Sequence, residues 1–217
     1  MKRTISVGLL SAAMLASVNA HAAKAELKLI GTITPAACVP NFTGGATIDY
    51  GNIPAGTLNL TSQTTLLAKS TTFNVTCDAP TIFYLKPADE RAATVSANVI
   101  PVGTETTPTA RFGLGAAPGG ENIGAYSLQI TGETADSGTT GRIRSIDGGA
   151  TWAVFGGILR ATGGLVAFNN GSGNTPAPHT SITTNVTVNA VLAPANTLPL
   201  TDDIPLDGLA TVEVVYP

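Results

Sequence analysis

Thr71-Thr72-Phe73-Asn74-Val75-Thr76-Cys77 sets Phe73, Val75 and Cys77 against Thr72, Asn74 and Thr76. A period of two places the apolar side chains on one face of a strand and the hydroxyls and amide on the other. The same alternation runs through Glu26–Thr34 (Leu27, Leu29, Ile33), Ala125–Thr131 (Tyr126, Leu128, Ile130) and Ile182–Leu192 (Ile182, Val186, Val188, then Ala190 and Leu192). It returns in Leu209–Tyr216, where Val212, Val214 and Tyr216 oppose Thr211, Glu213 and Val215. Thr81–Lys86 is a shorter apolar run that Pro87 is expected to stop, since proline cannot donate to a ladder. Gly113–Gly124 and Asn169–Pro178 read as loops. The 24 glycines and 14 prolines are scattered, so no helical period is sustained between them. Many short strands with turn residues between them predict an all-β sandwich or barrel, in one domain for want of a linker.

The first 22 residues read as a signal peptide. Lys2 and Arg3 precede an apolar run from Ile5 to Val18, and Ala20-His21-Ala22 supplies a small–x–small cleavage site. The run is shorter than the ~20 residues that cross a bilayer, so export of a soluble chain starting near Ala23 is expected. The full sequence carries a net charge of −3, and losing Lys2 and Arg3 makes it more acidic. With no basic cluster there is no electrostatic footprint for nucleic acid and no patch for anionic lipid. Cys38 and Cys77 are the only cysteines. In an oxidising compartment they are expected to form a structural disulfide; a redox pair or half a zinc site would favour C-x-x-C spacing.

Four local patterns together resemble the pilins of chaperone–usher fimbriae. An alternating segment, Leu27-Lys28-Leu29-Ile30-Gly31-Thr32-Ile33-Thr34, runs toward the first cysteine with Gly31 seven residues before Cys38. Thr47-Ile48-Asp49-Tyr50-Gly51-Asn52-Ile53 looks like a short strand after that cysteine, Phe73–Cys77 like the strand carrying the second, and Tyr216 is the penultimate residue. The resemblance covers residues 23–80 and 180–217. It departs where many pilins place a glycine near the C-terminus: Ile204 stands there, with Gly208 closer to the end.

The resemblance implies an immunoglobulin-like β-sandwich of the pilin type, incomplete by its last strand. Residues 1–22 would be the signal peptide, 23–35 the N-terminal donor-strand segment and 36–217 the pilin-like domain. Leu27, Leu29 and Ile33 would enter the groove of a neighbouring subunit, with Gly31 crossing a shallow point. Val212, Val214 and Tyr216 would border the chain's own groove and meet a chaperone strand, a form of β-augmentation. The implied partners are a periplasmic pilus chaperone, an outer-membrane usher and other pilin subunits, with a host glycan or protein as candidate receptor. The chain would be exported through the inner membrane and displayed on the cell surface as a fimbria. On pattern alone, Glu26–Thr34 could equally be an ordinary first strand of its own sandwich. A surface adhesin and a pilin-like periplasmic protein that never polymerises are the alternatives.

Ser145-Ile146-Asp147-Gly148-Gly149-Ala150-Thr151-Trp152 fits the S-x-D-x-G-x-T-W "Asp box" of sialidases and other β proteins. Physically it is a hairpin: Asp147 caps turn N–H groups, Gly148 and Gly149 accept positive φ, and Trp152 packs beneath. The box occurs once, and in those enzymes it stands away from the catalytic centre, so a structural role is expected. A glycan-processing enzyme is the reading ranked last. General acid–base chemistry needs a tuned pair of groups, and after the signal peptide the chain keeps a single histidine, His179, in a proline-rich loop. Asp89-Glu90 and Asp202-Asp203 lack the oxygen-rich spacing of a calcium loop. No catalytic residue, metal or cofactor is expected.

Overall fold

The computed structural model describes residues 27–32, 37–136, 138 and 140–217, in two units, Met1–Thr34 and Pro35–Pro217. In the first unit none of residues 27–32 lies in a ladder, and Leu27 and Leu29 are 98% and 97% exposed. The strand expected over Glu26–Thr34 is thus not formed at 27–32; Glu26, Ile33 and Thr34 lie outside the described residues. A lone strand leaves its backbone groups unpaired and has nothing to hold it extended.

The second unit is a sandwich of two sheets whose named strands all pair antiparallel. Its strands are β1 (Cys38–Thr43), β2 (Thr64–Thr65), β3 (Lys69–Thr81), β4 (Tyr84–Asp89), β5 (Phe112–Gly113), β6 (Gly124–Ala135), β7 (Gly141–Ser145), β8 (Ala153–Val154), β9 (Leu165–Asn169), β10 (His179–Leu192) and β11 (Ala210–Val215). The first sheet runs β1-β3-β10-β6-β5, with β2 also on β10; the second runs β11-β4-β9-β7-β8. Among the described residues there is no α-helix, only short 3₁₀ turns, and no helix long and apolar enough to cross a membrane.

The core follows the alternation. Phe73, Val75 and Cys77 of β3, Leu128 and Ile130 of β6, and Ile182, Val186 and Val188 of β10 are buried with Leu85, Val166 and Phe168 of the facing sheet. Ala190 and Leu192 join them. The other face of β6 and β10 carries a small second cluster, Val99, Ala125, Val191 and Ala193.

Two further strand expectations are corrected. Pro87 does not stop β4: it is buried within the strand, opposite Val212 of β11. On its other side β4 pairs with β9 only at Leu85–Val166, so no continuous ladder demands the missing N–H there. Residues 47–53 form no strand, because Gly51, at φ 64°, donates its N–H to the Asp49 carboxylate at 2.7 Å and turns the chain.

Candidate functional site

The edge strands β1 and β11 lie on the same side of the sandwich, one in each sheet, and are fastened at one end. The Cys38 backbone N–H donates to the Tyr216 hydroxyl oxygen at 2.9 Å, joining the start of β1 to the end of β11. Beyond that point β11 pairs, among the described residues, with β4 alone. Ala210, Val212 and Val214 point toward the core and Thr211 and Glu213 away from it, yet the two valines are only half-buried.

Other half-buried apolar groups pack against the same core. Cys38 and Phe42 come from β1, Ile48, Tyr50 and Ile53 from the turn-containing stretch after it, and Ile204 and Leu206 from the approach to β11. Phe42 is tilted against Phe73 at 4.9 Å, and Tyr50 donates its hydroxyl to the Val188 carbonyl at 3.4 Å. Gly208 is required by packing: a Cβ there would stand 2.9 Å from Tyr126, which is buried on Phe112 and whose hydroxyl burial holds well above the usual phenol range.

The opposite side of the first sheet is closed. Outside β6 lie β5 and then an extended stretch in which Ile130 donates its N–H to the Gly157 carbonyl at 2.9 Å and Leu159 to the Leu128 carbonyl at 2.8 Å. Leu159 fills the core beneath. An ion pair, Arg142 to Glu133 at 2.6 Å, ties β7 to β6 on that side. The contrast defines the site: one side is sealed by backbone bonds, and the other presents an unpaired strand beside half-covered apolar groups.

Cys38 and Cys77 are bridged, joining the edge strand β1 to β3 at directly opposed positions. The Asp box joins β7 to β8 at the far edge of the second sheet, and its Trp152 reaches back to Tyr84 of β4, the residue opposite Val215 of β11. Ser145 donates to the Asp147 carboxylate at 2.6 Å and receives the Gly149 N–H at 2.8 Å; the Thr151 N–H and hydroxyl donate to Asp147 at 2.9 and 2.5 Å. Gly148 and Gly149 take φ of 75° and 98°. Trp152 packs at a tilt against Tyr84, ring centroids 4.7 Å apart, and donates its indole N–H to the Gly149 carbonyl at 3.0 Å. His179, expected in a surface loop, is instead buried at the start of β10, and burial lowers its pKa. Among the described residues no three acids, histidines or cysteines gather as a metal site.

The hairpin yields an acid-sensitivity prediction. The donors from Ser145 and Thr151 lower the Asp147 pKa to about 2. The ionised form is therefore favoured by folding. Its contribution is complete above the ordinary carboxylate pKa and is lost as pH falls through the folded value. Because Trp152 is the chain's only tryptophan, its fluorescence reports the hairpin directly. The signal should change between about pH 4 and pH 2, and Asp147→Asn should shift the neutral-pH signal toward the acid one and flatten the profile. An unchanged profile in the variant would show that Asp147 does not hold the turn.

A disulfide-bridged β-sandwich with one open side is thus the class that fold and site define. The family model described as "Protein of unknown function (DUF1120)" matches residues 27–127, from the exposed N-terminal segment through the bridge to the start of β6. Protein GltF of Escherichia coli (strain K12) is 36% identical over 134 residues, which cover 56% of this chain and 53% of that protein. The match thus spans about half the length of GltF. Uncharacterized protein YhcF of the same strain is 24% identical over 209 residues, covering 85% of this chain and 87% of YhcF.

Proposed function

We propose that the chain is an exported structural subunit of a chaperone–usher fimbria, joined to its neighbours by strand donation and contributing to adhesion. The observation that carries this reading is the unpaired edge of β11, whose core-facing Val212 and Val214 are half-covered while the opposite side is sealed by β5 and Gly157–Leu159. An edge of that kind accepts a strand: backbone hydrogen bonds supply the ladder and alternate side chains fill the gaps. Residues 27–32 offer an unpaired segment able to become such a strand in a neighbour, with Leu27 and Leu29 exposed and Gly31 open to solvent. A periplasmic chaperone would cover the edge first, and a neighbour's leading segment would replace it at the usher. The role is one of binding and construction, with no catalysis assigned.

The test is to purify residues 23–217 with and without the cognate chaperone and to titrate in a synthetic peptide copying Glu26–Thr34. The chain alone should fold but melt at a low temperature. The chaperone should rescue it, and the peptide should raise its melting temperature where a scrambled peptide of the same composition does not. A stable monomer indifferent to chaperone and peptide would overturn the reading.

A further inference from the structure

Beside the sealed side of the sandwich, two arginines stand near each other with no acid paired to either among the described residues. Arg144 projects from β7, its guanidinium 4.9 Å from the Phe155 ring centroid and its Nη1 donating to the Ile158 carbonyl at 3.5 Å. Ile158 and Arg160 flank Leu159 in the stretch paired with β6, so they share the face opposite that buried leucine. The Arg160 stem packs over Gly164, and its Nε and Nη2 donate to the Thr109 hydroxyl oxygen at 3.1 and 2.7 Å. Ion pairs among the described residues are Lys86–Glu213, Arg91–Asp207 and Arg142–Glu133, which leaves Arg144 and Arg160 without counter-charge. Both are partly buried and partly open to solvent.

Two like charges held this way repel each other in a medium that screens less than water. Burial, and after it the charge of Arg160, lowers the Arg144 pKa; no carboxylate works in the other direction. Both guanidiniums keep free N–H donors, and Thr109, whose oxygen already accepts from Arg160, keeps its own proton to give.

We propose that Arg144, Arg160 and Thr109 form an oxyanion site that takes a carboxylate, sulfate or phosphate group across the two guanidinium forks. Planar forks suit such groups because they donate in pairs. The group can come from a free ion or from an acidic sugar.

Melting temperature measured in sodium sulfate and in sodium glucuronate, each against sodium chloride at equal ionic strength, tests the site. A saturable rise on the order of 5–10 °C is expected when the anion is at about 100 times its Kd. Arg144→Gln and Arg160→Gln should each abolish that rise. A larger effect of sulfate assigns the site to free or ester-bound oxyanions, and a larger effect of glucuronate to a carboxylated sugar; either supports the proposal. Equal behaviour in all three salts, or the same sulfate response in both variants, would overturn the assignment.

Discussion

A Leu27→Asp/Leu29→Asp double variant should fold as its parent does and yet form no SDS-resistant ladder in unboiled surface extracts. Residues 27–32 contribute nothing to the two sheets, so charging them leaves the sandwich of Pro35–Pro217 intact. Each leucine would bury about 1.5–3 kcal/mol of apolar side chain in a neighbour's open edge. Losing both removes roughly 3–6 kcal/mol, two to four decades in the joint's equilibrium constant, before the cost of desolvating two carboxylates is counted. The variant keeps its own acceptor edge, so it should still bind the Glu26–Thr34 peptide and should shorten fibres when mixed with the parent. A variant that polymerises like the parent would remove the strand-donation claim while leaving the fold untouched.

Cys38→Ser/Cys77→Ser should lower the unfolding free energy by about 4 kcal/mol, the chain-entropy value for a loop closed across 39 residues. Against a total of about 5–15 kcal/mol that is a large fraction. The loss should be local before it is global. β1 is an edge strand held in the sheet by β3 alone, so its amides should exchange early while those of β10, flanked by β3 and β6, stay protected. Urea unfolding of the oxidised and double-serine proteins measures the first effect and hydrogen exchange the second. A change under about 1 kcal/mol would mean that β1 is already frayed with the bridge in place.

Strands whose one face is buried were legible from alternation alone. Phe73, Val75 and Cys77 sit where the period of two puts them, as do Ile182, Val186 and Val188, because a pleated strand offers its side chains no third direction. Two kinds of element escaped that logic. Residues 157–159 pair with β6 although Gly156-Gly157 reads as a breaker, because only two backbone bonds are needed and Leu159 supplies the anchor. Residues 47–53 alternate like a strand, but the Asp49–Gly51 turn outweighs the pattern, since a side-chain acceptor two residues away is always within reach and a partner strand is not. The last strand was legible in its alternation at Val212 and Val214, but the geometry that sets it at a sheet edge was not. That Tyr216 fastens to Cys38 is a contact between residues 178 apart in sequence, which no local pattern can announce. The Arg144–Arg160 pair was missed for the same reason: it exists only once β7 and the stretch after Phe155 fold side by side.

The place of the bridge sets how the molecule would carry tension. Were subunits linked through the leading segment, as proposed, the pull would reach each one just ahead of Cys38, at the first residue of an edge strand that could otherwise be unzipped one hydrogen bond at a time. The sulfur link passes that pull straight to Cys77, inside a 13-residue strand gripped by β1 on one side and β10 on the other. Force arriving there must shear two ladders at once, so an oxidised subunit should resist stretching far beyond what its thermal stability suggests, and reduction should turn a tough thread into a weak one.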